Sequence, residues 1–530
     1  MKKLPFFPLA IFILTFSSCK LEPNWDVDAL APIAETTLTP GNMFPVGETS
    51  AIDSSGKLKY VYEDEVYTVP LDSLFTIPDT AYVYNFTAPF AVTIQPGFPA
   101  PVFDGYISPN IKTATLTELI VLSGGIDVIA ESFAARKLKL EFSIPKAIKN
   151  GQPFYYQTSL DAAGNSSISL NQSINLDGYK LDLTGDDGLI GNRFRMKITA
   201  TIDSGEDPLP VASGFEIVKC TIKLNKIKPY FAKGKVNTQS LKISSDTLKL
   251  GVMEMIKSGA VDLEDISLLL QIENGMGVDL QALIYEIAGK NGYNGSTQNL
   301  TGSSINNAVN VNRAQNNPYQ TPEYTPSVKE ILFNSGNSNL TSFIENLPAQ
   351  IAINAKFIVN PFGNVSGGND FIYYNSKTSL KIRVEAPLAF SINELVLMDT
   401  VNLNLNPAEE TEQQNQPVKS ATVRAYVENG FPLEADLQVY FLGQDGISSD
   451  SLFFQQRINS ALVGPDLKVS SSINSVLEAK AEGLQLDRLL SADKIWFKVR
   501  LNSYPQGQLI YIYDNYKMKV KLVAQLTYQL

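Results

Sequence analysis

Along most of the chain apolar and polar residues alternate in steps of two, the mark of strands with one buried face. Leu138-Lys139-Leu140-Glu141-Phe142-Ser143-Ile144 alternates and is followed by Asn150-Gly151, a hairpin-turn pair. Residues 194–202, 221–227, 421–427 and 495–501 repeat the pattern. In the final segment Met518, Val520, Leu522, Ala524, Leu526, Tyr528 and Leu530 define one apolar face. Lys517, Lys519 and Lys521 lie on the other, where lysines discourage edge-to-edge pairing. Helical spacing is confined to residues 339–347 and a turn at 487–490. The pattern predicts a mainly β protein, with tandem antiparallel β-sandwich or half-barrel domains and a few short helices.

Short stretches recur. Ser240-Leu241-Lys242-Ile243 returns as Ser379-Leu380-Lys381-Ile382. Ile272-Glu273-Asn274-Gly275-Met276-Gly277-Val278 returns as Val427-Glu428-Asn429-Gly430-Phe431-Pro432-Leu433. Each copy of the second echo follows an apolar strand and precedes another, so Asn-Gly breaks and redirects the strand. Two echoes in the same order predict a duplicated module. The expected division is an N-terminal β domain over 46–229, a β-module over 230–378 and a second copy over 379–530. The strand-Asn-Gly-strand pattern resembles type-2 late-embryogenesis-abundant (water-stress) β-sandwiches. It is also similar to repeated modules of uncharacterised Bacteroidota outer-membrane lipoproteins. Ile358-Val359-Asn360-Pro361-Phe362-Gly363-Asn364 is in the same style. The resemblance covers residues 230–530 and brings no catalytic residues with it. Residues 289–326 are rich in Asn, Gly, Ser and Gln and read as a long polar loop. Residues 408–417 read as a shorter acidic one.

The N-terminus changes the picture. Met1-Lys2-Lys3 is basic, residues 4–16 are apolar, and Phe16-Ser17-Ser18-Cys19 follows. The apolar run is too short for a stable membrane span and fits a signal peptide over 1–18. Small residues before a cysteine resemble a bacterial lipobox, with Phe16 and Ser18 departing from its usual residues. That resemblance implies that Cys19 is the acylated first residue of the mature chain. Residues 19–45, rich in proline, read as an extended tether. Lys20, where Asp would resemble an inner-membrane retention signal, implies outer-membrane delivery. Glu22, Asp26 and Asp28 resemble the acidic start of surface-exposed Bacteroidota lipoproteins. With Cys19 lipidated, Cys220 has no partner and reads as a buried, inert thiol.

Composition excludes several functions. The 530 residues contain no histidine, so Ser-His-Asp and Cys-His sites and His-ligated metals cannot be built. A net charge of −11 opposes nucleic-acid binding. Asp182, Asp186 and Asp187 stand close together, but their spacing does not match a calcium loop, and no metal or other cofactor is expected. No carboxylate pair is singled out for glycoside hydrolysis, so the chain is not read as an enzyme. Lys219, Lys223, Lys226, Lys228, Lys233 and Lys235 have no acid between them in sequence. They read either as a solvated strand face or as a contact for anionic lipid headgroups. Asp-(Ser/Thr)-aliphatic tripeptides centred on Ser73, Thr80, Thr247, Thr400 and Ser451 resemble the Bacteroidota O-glycosylation acceptor.

Three functional classes remain. The favoured one is a non-catalytic binding or scaffold subunit of an outer-membrane β-barrel assembly, lipid-anchored and displayed on the cell surface. Its expected partners are a β-barrel protein or other lipoproteins. The second is a carrier of an apolar ligand or lipid in a tubular β-module. The third is a surface glycan-binding protein, for which Trp25 and Trp496 are the only tryptophans.

Overall fold

The computed structural model describes residues 26–40, 48–69, 74, 76–161, 167–244, 247–402, 418–442, 448–492 and 494–529. The chain is mainly β and its ladders are antiparallel.

The N-terminal unit is built on a ten-stranded sheet curled nearly into a barrel, one strand of which comes from the later segment Asp370–Tyr373. Its alternation is visible in Leu138–Lys149, where Leu138, Leu140, Phe142 and Ile144 are buried, while the residues between them are only half-buried. Phe194–Ile202 behaves likewise, with Phe194, Met196, Ile198, Ala200 and Ile202 inside. The longest strand, Glu216–Val236, pairs with Ala114–Ser132 along nearly its whole length. Short Lys180–Asp182 bridges Ala114–Ser132 to Leu138–Lys149 and draws the two halves together. Strands Ala81–Thr87 and Pro99–Ile107 share no ladder, and there Tyr84 stacks on Phe103 with ring centroids 3.8 Å apart.

Two further units follow, and they share a strand plan. In the first, Ser267–Asn274 lies between Ser327–Asn334 and Thr378–Pro387. In the second, Val418–Asn429 lies between Ile473–Glu482 and Met518–Gln529. After the corner, Leu280–Asn291 pairs with Pro348–Val359, and Leu433–Leu442 with Lys494–Ser503. A short helix precedes each of those partners, Leu340–Glu345 in one and Leu484–Leu490 in the other.

The corners match bond for bond. Asn274 is fully buried; its Nδ2 donates to the carbonyls of Val278 and Asn312 at 2.9 and 2.8 Å, and its Oδ1 accepts the Met276 N–H at 3.1 Å. Asn429 is fully buried; its Nδ2 donates to Leu433 and Asn459 at 2.9 and 2.8 Å, and its Oδ1 accepts the Phe431 N–H at 2.9 Å. The next residue is glycine because its backbone N–H must reach a neighbouring carbonyl, Lys377 for Gly275 and Lys517 for Gly430. A Cβ there would stand 2.4 Å from the Lys377 oxygen and 2.6 Å from that of Lys517.

The structure departs from the expected divisions. Ser240-Leu241-Lys242-Ile243 lies in Gln239–Ser244, beside Pro348–Val359, whereas Ser379-Leu380-Lys381-Ile382 lies in Thr378–Pro387, beside Ser267–Asn274. These are not equivalent strands; any alternating strand can generate such a tetrapeptide. Thr378–Pro387 therefore belongs to the first repeat's sheet, not to a copy beginning at 379. The expected boundary at 229/230 falls inside the continuous strand Glu216–Val236.

The expected tether over 19–45 is corrected in part: Asp26–Leu38 is a strand pairing along Met518–Gln529. Its small residues Ala29, Ala31 and Ala34 give no strong alternation, so the pairing is invisible in sequence. The lysine-bearing last strand is consequently not an edge but lies between Asp26–Leu38 and Val418–Asn429. The chain then returns as the hairpin Glu48–Ile52 with Leu58–Thr68, whose second strand pairs with Thr378–Pro387. One N-terminal segment thus runs beside both repeats. One core cluster stretches from Tyr60 to Ala386 through the N-terminal unit and the first repeat, and a separate one fills the second repeat. Leu58, Phe431, Ile510, Ile512, Tyr513 and Tyr516 pack between the repeats.

Chain order places the first repeat between the N-terminal unit and the second repeat. Glu216–Val236 leads straight into the first repeat through Gln239–Ser244, and Thr378–Pro387 leads into the second through Ala389–Asn402. At the junction of the repeats Met518 pairs with Leu38 and Asn429; at the far end of the same ladder Gln529 pairs with Asp26. The first described residue therefore leaves from the outer end of the second repeat.

Candidate functional site

A group of ionisable side chains lines a concave place where the repeats meet. Three backbone bonds fix the place: Leu58 N–H to Ile512 O, Leu388 N–H to Leu58 O and Ile512 N–H to Leu388 O, at 3.0, 2.8 and 2.9 Å. Beside them opens a cleft of about 320 Å³, with Lys57, Lys59, Glu264, Asp265, Glu385 and Tyr511 in its wall. The Lys57 ammonium sits 3.5 Å from the Tyr511 ring centroid, a cation–π contact. The Tyr511 hydroxyl donates to Glu264 at 3.2 Å. Burial, and then the nearby Glu264 carboxylate, push the phenol above its ordinary pKa. Asp53, also on the wall, is turned inward to its own loop, accepting from the Ser55 N–H and hydroxyl and the Lys57 N–H. Lys57, Tyr511 and Glu264 are thus engaged with one another in the cleft wall, and Glu385 pairs with Arg383.

The candidate residues named from sequence are scattered. Cys19 and Ser73 lie outside the described residues, as does the loop 408–417. The six lysines are strung along Glu216–Val236, where 16 residues at about 3.3 Å each allow at most about 53 Å between Lys219 and Lys235. Register also sets Glu131 opposite Lys219, Asp127 opposite Lys223 and Glu118 opposite Lys233. Acids absent between the lysines in sequence thus arrive from the neighbouring strand. Lys226 sits at φ 48°, and its backbone N–H donates to Asp79 at 2.8 Å.

The Asp-(Ser/Thr) sites differ in access. Thr247 and Thr400 are exposed. Thr80 is half-buried and donates to Pro78 O. Ser451 is half-buried, its hydroxyl accepts from Gln438 Nε2, and its neighbour Asp450 pairs with Arg488 at 3.0 Å. The three clustered aspartates are each taken by a cation: Asp182 by Lys146 at 3.1 Å, Asp187 by Arg193 at 2.8 Å and Asp186 by Arg195. Among the described residues no group of three or more Asp, Glu or Cys is placed to hold a metal ion. Cys220 is fully buried, and burial pushes its thiol up to about 12.

The polar segment 289–326 is not an open loop. It carries short strands at Thr297–Asn299, Ala308–Val311, Gln315–Asn316 and Tyr324–Thr325. Its later part covers the joint between the N-terminal unit and the first repeat. There Phe231, Ala314, Tyr324, Phe371 and Tyr373 form a buried cluster. The Tyr373 hydroxyl donates to Asn316 Oδ1 at 2.8 Å, and Tyr230 donates to Glu323, which holds that phenol up at about 12. Below it, Arg313 joins Asp279 at 2.6 Å and the almost fully buried Asp370 at 3.3 Å. Asp370 in turn accepts from Asn360 Nδ2 and the Val236 N–H. Sequence reasoning missed this network because its members are far apart in the chain; a lone arginine amid uncharged residues 291–322 was the available signal.

No protein-family model and no curated protein matches the chain. Among solved structures, similarity is found to a Parabacteroides distasonis chain described as a "putative secreted protein", at 12% identity and TM-score 0.24, covering 56% of this chain and 88% of that one. A triple jelly-roll protein of an archaeal virus is similar at 10% identity and TM-score 0.11, covering 86% and 92%. Likenesses this distant carry no argument about function.

Proposed function

We propose that the protein is a non-catalytic outer-membrane lipoprotein, displayed on the cell surface, that serves as a binding or scaffold subunit of an outer-membrane β-barrel assembly. The supporting observation is the placement of Asp26–Leu38. Six residues separate Cys19 from Asp26, a reach of at most about 25 Å. A lipid on Cys19 would therefore hold the outer end of the second repeat close to the bilayer, with the first repeat and the N-terminal unit following outward in a row. Such an arrangement suits a stand-off scaffold that offers successive surfaces at different heights.

The test is a mild-detergent pull-down from native membranes, with mass spectrometry of proteins and of bound lipids. A stoichiometric β-barrel partner is the expected result. Recovery of the chain alone with co-purifying lipid would sink the scaffold reading in favour of a lipid carrier, and retention on a glycan matrix would favour glycan binding. Cys19→Ala should release the chain from the membrane; an unchanged membrane fraction refutes the anchor.

A further inference from the structure

The strand Asp26–Leu38 is held in an unusual way. It pairs through the main chain over its whole length with Met518–Gln529, with one register shift between Pro32 and Ala34. Yet residues 26–30, 32 and 35–37 are all exposed, Val27 at 45% and Leu30 at 67%. Among the described residues, Lys419 pairs with Asp26 and Thr527 donates to Asp28, both at 2.7 Å. The matching strand of the first repeat, Leu58–Thr68, buries Leu58, Tyr60, Val61 and Tyr62.

The edge beneath it has more to offer than the strand uses. Met518, Val520, Leu522 and Leu526 face the second repeat's core but are only partly buried. The register positions opposite Leu522, Ala524 and Leu526 are occupied by Ala34, Ala31 and Ala29, three of the smallest side chains. Lys519 and Lys521 project from the other face; Lys519 pairs with Glu428 at 2.9 Å, and Glu35 stands opposite Lys521 in register. A strand held by ladder bonds, with most of its described side chains exposed, belongs to the low-stability end of local opening.

We propose that Asp26–Leu38 is an exchangeable placeholder and that the edge of Met518–Gln529 is an acceptor for a strand from another protein. The strand it fits runs antiparallel to Met518–Gln529. It carries bulky apolar residues at the positions of Ala29, Ala31 and Ala34, and an acid at the position of Glu35. Such a strand keeps every ladder bond, sets larger apolar side chains opposite Leu522 and Leu526, and retains the charge match to Lys521. The proposal stands on register and exposure and does not depend on the lipid anchor or on a β-barrel partner.

The test uses the purified full chain in mild detergent and two labelled 13-residue peptides. One has the sequence of residues 26–38; the other carries Ala29→Leu, Ala31→Leu and Ala34→Leu. Fluorescence anisotropy should show both binding, the substituted peptide at least tenfold more tightly, and Glu35→Lys in that peptide should weaken it. A Thr36→Cys, Val520→Cys disulfide, across register partners, should abolish uptake of both peptides, and reduction should restore it. Absence of binding by either peptide, or binding unaffected by the disulfide, overturns the proposal. So does a dimer that exchanges its own N-terminal strands and takes up no peptide, which would assign the edge to a second copy. Hydrogen exchange of the unaltered chain guards against a misfolded variant. Amides of Asp26–Leu38 should exchange at least a hundredfold faster than those of Val418–Asn429, and equal protection refutes exchangeability.

Discussion

Replacing Asn429 with alanine probes the corner that builds each repeat. The side chain makes three hydrogen bonds from a fully buried position, donating to Leu433 O and Asn459 O and accepting from the Phe431 N–H. Phe431 is itself fully buried, so its N–H would be left without a partner, at about 1–3 kcal/mol. Leu433 and Asn459 are less buried, so their carbonyls can turn to water, and each lost bond removes about 1 kcal/mol. Together Asn429→Ala should cost about 3–5 kcal/mol. Trp496 stands in Lys494–Ser503 of the same repeat, and a Trp25→Phe background leaves it as the only fluorophore of its kind. Urea unfolding followed by Trp496 fluorescence should show the midpoint fall with the slope unchanged. Asn274→Ala should instead move the circular-dichroism transition of the larger core, to which Met276 and Val278 belong. A loss below about 1 kcal/mol in the Trp496 signal for Asn429→Ala would refute the claim that the amide fixes the corner.

Cys220 should resist alkylation at pH 8 in the folded chain and react at once in denaturant, because burial holds its thiol protonated up to about 12. Fast labelling of native protein would contradict its placement. The Arg195 guanidinium holds Asp104, and that of Arg193 holds Asp187, below the usual carboxylate range. Their contribution to stability is present above the ordinary carboxylate pKa and is lost as pH falls through and below it. Unfolding midpoints should therefore drop from pH 7 to pH 3, and the drop should shrink in Arg195→Gln. Gly277→Ala would place a Cβ 2.1 Å from the Phe371 ring, and the ring must leave the cluster around Tyr373. A loss of about 1–3 kcal/mol is expected from overpacking, read by thermal unfolding.

The period-2 runs were enough to read the fold class and individual strands such as Leu138–Lys149 and Phe194–Ile202. The Asn-Gly corners were legible too, because one buried amide and one glycine compress a three-dimensional turn into adjacent letters. Pairing was not legible. Nothing local in Leu58–Thr68 says that it meets Thr378–Pro387, some 320 residues on, where Arg383 pairs with Glu63. The lysines of Glu216–Val236 looked unopposed because Glu131, Asp127 and Glu118 come from another strand. The polar segment 289–326 looked like solvent-facing loop because its few apolar anchors, Ala314 and Tyr324, are hidden among amides. The cleft at the junction of the repeats assembles residues from four distant segments, around Lys57, Glu264, Glu385 and Tyr511, and no spacing rule could have collected them.

The N-terminal segment gives these observations a common order. Its first strand reaches across the whole chain, with Thr527 donating to Asp28 over a separation of 499 residues. Closing so long a loop is entropically costly and slow, and most described side chains of this strand stay exposed. Leu58–Thr68 closes a shorter loop and is rewarded by four buried side chains. The first repeat should therefore complete its sheet early, while Asp26–Leu38 docks last, on a second repeat that already has its own core. A chain made from its N-terminus presents that strand first and places it last. During that interval the edge of Met518–Gln529 is open, and the same exposure that delays docking keeps it available afterwards to a strand with larger apolar residues in that register.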